Sequence, residues 1–373
     1  MNLTRRGFIG YGAAFCSLFG RDYLFAESAS NVKSYSIPIL GDIHFDSEDP
    51  KFYHKFYTHS TSEKRYLNHL AEHKRNSAMW KENLPKLIKA SASCVRPDSQ
   101  FVLQMGDFIQ GDCGKSDVHR KLLDDAFSYV KNAYGGNRKI ILTTGNHDIR
   151  GAMKGDGAKA TLEKWIPEQM SKELASTVTS TTFSFRQGPD VFIVIDFNSP
   201  NLDQIKKLLD ESKDARYTFV TSHGPIVPTG LTRWFLFGKK PFNDQRRELR
   251  TLLAQRNAIA LSGHTHNLEF IDCAFPEGRL TQFVFNSVWQ IGRKSTYTPI
   301  ANGVAEDSNH NLRPDVKKPK FDKKLTKEYA PFVKDYHFAS AVGHYMLDVS
   351  DSGVSVLFYE GASTEPTKTF KLR

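Results

Sequence analysis

The stretch Lys139-Ile140-Ile141-Leu142-Thr143-Thr144-Gly145-Asn146-His147-Asp148 decides the fold: an apolar, β-branched run stops at a glycine and delivers polar side chains. Such a run favours a strand buried on both faces, and the glycine lets the backbone turn sharply at its end. The pattern recurs along the chain. Tyr35–Leu40 leads into Gly41-Asp42-Ile43-His44, Phe101–Met105 into Gly106-Asp107, Tyr217–Thr221 into Ser222-His223-Gly224, and Ala258–Leu261 into Ser262-Gly263-His264-Thr265-His266. Each block displays oxygen or imidazole groups where a rigid strand meets a loop.

Helical patterns lie between these strands, over Lys81–Ala92, Val118–Ala133, Ala158–Met170, Leu202–Ser212 and Asp244–Gln255. Alternating strands and helices predict an α/β layered fold. Thr181–Arg186 and Val191–Phe197 flank Gln187-Gly188-Pro189-Asp190 and predict a hairpin. Leu280–Val288 and Tyr345–Tyr359, the latter broken at Ser350-Asp351-Ser352-Gly353, add strands and make the second half richer in antiparallel pairing. Two segments, about 46–80 and 293–337, fit no tidy element and are expected to be insertions. The first holds His54, His59, His69 and His73 among aromatic residues and follows His44 directly, so it is expected to wall the substrate site; the second is rich in Lys and Pro.

The ordered blocks D-x-H, G-D, G-N-H-D, H and G-H-x-H closely resemble the calcineurin-like metallophosphoesterase superfamily, over residues 42 to 266. The resemblance implies a two-sheet β-sandwich flanked by helices, with a dinuclear metal site at the C-terminal ends of the strands. It implies that Asp42, His44 and His266 hold one ion, that Asn146, His223 and His264 hold the other, and that Asp107 bridges them. It places His147 beside the leaving group as general acid, with Asp148 orienting its ring. Asn146 and Arg150 are then the candidates for touching the phosphate. A donor set that mixes carboxylate, amide and imidazole suits Mn, Fe or Zn better than Ca or Mg. Two such ions hold a hydroxide for in-line attack on phosphorus. The expected activity is hydrolysis of a small phosphorylated substrate, monoester or diester. The sequence departs from the purple acid phosphatase pattern at His44, where that group has Asp, and at Gln110, where it has a ligating Tyr.

Two other readings share the fold: a nuclease, and a non-catalytic metal- or phosphate-binding module. The Lys-rich stretch from Lys317 to Lys334 favours the nuclease, but a solvated loop explains it as well, and nucleic acid is not an expected partner. Intact ligand positions and His147 argue against the non-catalytic module. Gly114-Lys115-Ser116 imitates the end of a P-loop, but Ile109 stands where its first glycine is required. Ser222 beside His223 has no G-x-S-x-G elbow, which leaves a serine hydrolase without support.

Composition agrees with a folded enzyme. The 373 residues are 39% hydrophobic and 25% charged, with 4 Cys, which excludes a disordered chain and a disulfide scaffold. A formal net charge of +10 is a weak pointer to anionic substrates. Thr4-Arg5-Arg6-Gly7-Phe8-Ile9, the apolar run to Phe19 and the small residues Ala26 and Ala29 resemble a twin-arginine export signal over residues 1–30. The run is shorter than the roughly 20 residues that span a bilayer, so no membrane helix is expected in the mature chain. The resemblance implies the export machinery as a partner and a periplasmic or secreted phosphoesterase domain over residues 31–373. Cys94, Cys113 and Cys273 then remain, without C-x-x-C spacing.

Overall fold

The computed structural model describes residues 34–46, 63–113, 115–151, 157–228, 235–292, 295 and 328–373. The expected export signal, His54, His59 and most of the Lys-rich segment lie outside the described residues. Among the described residues no helix is long and apolar enough to cross a membrane.

Strands β1 (Tyr35–Leu40), β2 (Phe101–Gln104) and β3 (Lys139–Leu142) run parallel. The C-terminal strands β11 (Gly343–Ser350), β12 (Gly353–Glu360) and β13 (Lys368–Lys371) extend that sheet antiparallel to β1, giving the order β13-β12-β11-β1-β2-β3. The second sheet has the order β10-β8-β9-β7-β6-β5-β4. Its parallel centre is β5 (Asp190–Ile195), β6 (Thr218–Ser222), β7 (Ile259–Ser262) and β9 (Gly278–Val284). β4 (Phe183–Gln187), β8 (Leu268–Phe275) and β10 (Val333–Ala339) pair antiparallel at its margins. The two mixed sheets flanked by helices are the expected architecture, and the hairpins 183–195 and 343–360 fall where their turn residues place them.

Alternation along the strands assigns the faces. On β5, Phe192 and Val194 turn toward the first sheet, while Val191, Ile193 and Ile195 meet the outer helices. Phe185, Phe192 and Phe219 form a stack, with centroid spacings of 5.2 and 4.5 Å, and Phe101 of β2 meets it edge-on at 5.2 and 5.4 Å. Rings packed this way hold the sheets face to face. Helices α2 (Leu84–Ser93), α3 (Ser116–Ala133) and α4 (Ala158–Leu174) cover the first sheet, while α5 (Leu202–Asp210) and α6 (Asn243–Gln255) cover the second. A buried polar tie crosses between the sheets at the end remote from the motifs. Tyr35 Oη donates to Asp190 at 2.8 Å, and Arg216 holds the same carboxylate at 2.6 and 3.0 Å.

Two expectations need correction. Segment 46–80 contains a helix, α1 (Glu63–Glu82), of 20 residues, and the helix placed from Lys81 begins instead at Leu84, after a break at Asn83. The inner face of α1 carries His73, Asn76, Ser77 and Trp80, so its burial leaves little apolar periodicity to read. Likewise, the end of segment 293–337 is an edge strand, β10, paired with β8. Among the described residues Cys94, Cys113 and Cys273 form no disulfide with one another, and the last two are buried.

Candidate metal centre

All five polar blocks leave the C-terminal ends of parallel strands: β1, β2 and β3 of one sheet, β6 and β7 of the other. The sandwich therefore brings together residues separated by more than 200 positions, and strand rigidity fixes them. The loops turn tightly, with His44, Asp107, His264 and His266 all at positive φ (46, 47, 72 and 53°). That costs strain in non-glycine residues, and such strain collects at functional sites. Gly106 explains its own position: at φ +85° a Cβ would lie 2.6 Å from His223 Nδ1.

Two groups of donors form around Asp107. Asp42, His44, Asp107 and His266 make one and Asp107, His223 and His264 the other, the offered atoms in each group within 4.8 Å of one another. In the first, His266 Nε2 lies 3.1 Å from Asp42 Oδ2 and 3.2 Å from His44 Nε2. In the second, His223 Nε2 lies 3.3 Å from Asp107 Oδ2, 3.0 Å from His264 Nδ1 and 3.2 Å from Asn146 Oδ1. The structure thus brings together all seven residues the sequence nominates. Imidazole nitrogens and carboxylate oxygens converging in buried surroundings fit a pair of cations, because lone pairs aimed at one point are otherwise repulsive.

Buried groups around the centre brace these donors. His223 Nδ1 is 2.9 Å from the Met105 carbonyl, a contact that fixes the ring and leaves Nε2 for the centre. The His264 N–H donates to both Asp42 oxygens at 3.1 Å, and the His147 N–H donates to Asp107 Oδ1 at 2.7 Å. Trp80 Nε1 donates to the carbonyls of Ile43 and His44 at 2.9 Å, clamping the first block. Asn198 donates to the Gly145 carbonyl at 2.9 Å, and Thr144 to Asp196 at 2.7 Å, which steadies the third block. Phe197 lies 5.4 Å from the His223 ring and 5.1 Å from the His264 ring. None of Trp80, Asn198 and Phe197 stands in a motif, so sequence alone gave no signal for them.

Electrostatics follow from burial and from the clustering of charge. Burial opposes ionisation of Asp107, but His223, His147 and His44 together outweigh it and hold the carboxyl well below its usual range. Burial likewise works against a charged His223, yet Asp107 and Asp42 raise it to about 9. Burial, with His223 nearby, drops His264 to about 3, and burial with His147 drops His44 well below the usual imidazole value. His147 falls to about 4, by burial first and with Arg150 acting in the same direction.

His147 stands beside both groups: its ring meets that of His44 at a centroid distance of 4.5 Å. Its Nδ1 is 3.1 Å from the Gln110 carbonyl, and Arg150 Nη1 approaches Nδ1 at 2.9 Å and Nε2 at 2.7 Å. The orienting role expected of Asp148 is corrected. Its Oδ1 accepts from the Ile109 N–H at 2.9 Å and its Oδ2 from the Gly145 N–H at 2.7 Å, so the carboxylate braces two motif loops and the Gln110 carbonyl orients the ring. Burial and the neighbouring Asp107 raise Asp148 to about 8.

The calcineurin-like phosphoesterase family model matches residues 35–268, which spans every one of these blocks. The chain belongs to the calcineurin-like phosphoesterase family. Among solved structures it resembles GAP50, the anchor in the inner membrane complex of Plasmodium, at 14% identity over 91% of this chain and 88% of that one (TM-score 0.46). It also resembles the purple acid phosphatase PPD1 of yellow lupin, at 12% identity over 91% and 53% (TM-score 0.49). A dimetal phosphatase from Danio rerio is similar at 10% identity over 91% and 98% (TM-score 0.49). No curated protein matches the chain by sequence. Family membership and the donor groups support metal-dependent phosphoester hydrolysis as the general activity of this calcineurin-like phosphoesterase.

Proposed function

We propose that the protein hydrolyses a small phosphorylated substrate by in-line attack of water at phosphorus, with Asp42, His44 and His266 holding one metal ion, Asn146, His223 and His264 a second, and Asp107 both. The observation that carries this reading is the meeting of two donor groups at one carboxylate with His147 beside them. Two divalent or transition ions, of the Mn, Fe or Zn kind, would supply Lewis acidity toward the phosphoryl oxygens and lower the pKa of the attacking water. The chain's own residues do the rest. Asp107 takes a hydrogen bond from the His147 backbone, which ties the position of the ring to the bridging carboxylate. The Gln110 carbonyl accepts from Nδ1–H, so that in the protonated ring Nε2–H is the proton given to the leaving oxygen as the ester bond breaks, leaving the ring neutral. Arg150 Nη1, beside that nitrogen, is the donor placed to meet a phosphate or ester oxygen.

The twin-arginine pattern at Thr4–Ile9 supports export, hence a periplasmic or secreted site of action on extracytoplasmic phosphoesters. Elemental analysis of protein purified without chelator, beside hydrolysis of 4-nitrophenyl phosphate and bis(4-nitrophenyl) phosphate, tests the central reading. About two ions per chain, with turnover lost on chelation, is the expected result. Protein that takes up no Mn, Fe or Zn and turns over neither ester would instead identify a non-catalytic module on the same fold.

A further inference from the structure

Helix α1 carries a second polar cluster next to the metal centre. His69 and Glu72 lie one turn apart on it, and both reach Arg150. Arg150 Nη2 is held by two carboxylates, Asp112 Oδ2 at 2.8 Å and Glu72 Oε2 at 3.0 Å, and His69 Nδ1 lies beside it at 3.0 Å, itself 3.2 Å from Asp112 Oδ2. The other end of the fork, Nη1, lies against the His147 ring, 2.7 Å from Nε2 and 2.9 Å from Nδ1. Asp112 is buried, and its N–H donates to the Arg150 carbonyl at 2.6 Å, so the anchor and the anchored residue are tied through main chain as well. His73 continues the helix face, with Nδ1 3.3 Å from Asp46, two residues beyond His44.

We propose that Asp112 and Glu72, with His69 beside them, are positioning residues that hold Arg150 by Nη2, so that Nη1 stands where the leaving-group oxygen receives its proton from His147. The inference rests on the phosphoesterase reading above and adds the leaving-group side of the site. A guanidinium is planar with donors fixed at known angles, so fixing one nitrogen aims the other. Glu72 and Asp112 also offset the charge of Arg150, which makes Nη1 a directional donor more than a free cation. The same cluster contains a metal-like set, His69, His73 and Asp112. The guanidinium already engages two members of that set, 2.8 Å from the Asp112 oxygen and 3.0 Å from His69 Nδ1.

Asp112→Asn and Glu72→Gln keep shape and remove the anchoring charge; Glu72 is partly exposed, so the second variant folds even if the first does not. Both are compared with the full-length, metal-loaded protein on an alkyl phosphoester, whose leaving group must be protonated, and on the matching 4-nitrophenyl ester, whose leaving group departs as the anion. The expected result is a fall in kcat of about 10-fold or more on the alkyl ester, with little change on the 4-nitrophenyl ester and an unchanged metal-to-protein ratio. Equal losses on both esters, or no loss on either, would overturn the proposal. Loss of a metal ion in His69→Ala would overturn it in favour of a third metal site. If the wild-type protein hydrolyses neither ester, the phosphoesterase reading fails by itself, and positioning is then read by nitrogen NMR of histidine-labelled, zinc-loaded protein. His147 ring resonances that do not move in Glu72→Gln or Asp112→Asn would show that the anchors do not set its surroundings.

Discussion

Replacing Gly263 with alanine tests the metal centre without touching a ligand. Gly263 ends β7, and a Cβ there would lie 2.3 Å from Asp42 Oδ1 and 3.0 Å from the Met105 carbonyl. Gly263 is absent from the positive-φ residues, so alanine adds a steric demand and no backbone strain. A carbon–oxygen contact needs about 3.3 Å, so the Asp42 carboxylate must retreat by roughly 1 Å. That retreat also pulls it from the His264 N–H, which it now accepts through both oxygens at 3.1 Å. Metal–ligand distances tolerate about 0.2 Å, and a misplacement of about 1 Å in a reacting constellation costs on the order of 100-fold. The expected outcome is a drop of about 100-fold in kcat/KM, a metal-to-protein ratio well below wild type after dialysis, and a smaller gain in Tm on adding metal. Overpacking alone costs about 1–3 kcal/mol, which leaves the chain folded. Full metal content with turnover within about threefold of wild type would show that Asp42 does not ligate from this loop.

His147→Ala should leave the metal content unchanged and lower turnover of an alkyl phosphoester by about 100-fold or more, while the 4-nitrophenyl ester loses far less; parallel losses would remove His147 from the acid role. Asp190→Asn should destabilise the protein by about 3 kcal/mol, because it leaves Arg216 without its buried carboxylate, and Tyr35→Phe by about 1 kcal/mol. Urea unfolding checks both, and a loss under about 0.5 kcal/mol in Asp190→Asn would show that the tie between the sheets contributes little. Burial lowers His344 from 6.5 to about 4. The unfolded chain therefore binds a proton below pH 6.5 that the folded chain refuses. Stability contributed by the neutral ring is present above that pH and falls as pH drops toward 4, by about 3 kcal/mol in total. Unfolding at pH 7 and pH 4.5 should show a shallower decline in His344→Gln; identical slopes would exclude His344 as a source.

The parts of the site legible in the sequence are those whose chemistry coincides with backbone punctuation. Tyr35–Leu40, but for Ser36, and Ala258–Leu261 are apolar because central strands are covered on both faces. Their ends are marked by Gly41 and Gly263, and the donors follow at once. The order of strands in the sheets was not legible: β11 joins β1 and β7 pairs with β9, partners chosen by contacts far apart in sequence. Helix α1 escaped notice for a different reason. Its buried positions His73, Asn76 and Ser77 are polar, His73 meeting Asp46 and Asn76 meeting Gln110, so the usual apolar stripe is missing, although His69, His73, Asn76 and Trp80 do recur at helical spacing. Asp148 shows the limit of carrying a role over with a motif. Gly145 and Ile109 present N–H groups to its carboxylate, and nothing in the string Gly145-Asn146-His147-Asp148 reveals which way that side chain turns.

The layout of the two sheets explains why the donors divide as they do. Asp42 and His44 leave β1 and Asp107 leaves β2, in the first sheet; His223 leaves β6, and His264 and His266 leave β7, in the second. Each donor group therefore draws on both sheets, and Asp107, from the first, faces His223, from the second, at 3.3 Å. A cation bound in either group would tie one sheet to the other at the motif end, as Tyr35, Asp190 and Arg216 tie them at the opposite end. Metal binding is then coupled to the closure of the sandwich and not only to local loops. The helix α1 meets this junction from outside, its Trp80 clamping the His44 loop and its His69 and Glu72 reaching Arg150 on the loop after β3. The loops that carry His44 and Arg150 are thus both held by one helix, so a substitution on its inner face should disturb both together, whereas Glu72→Gln should disturb only the second.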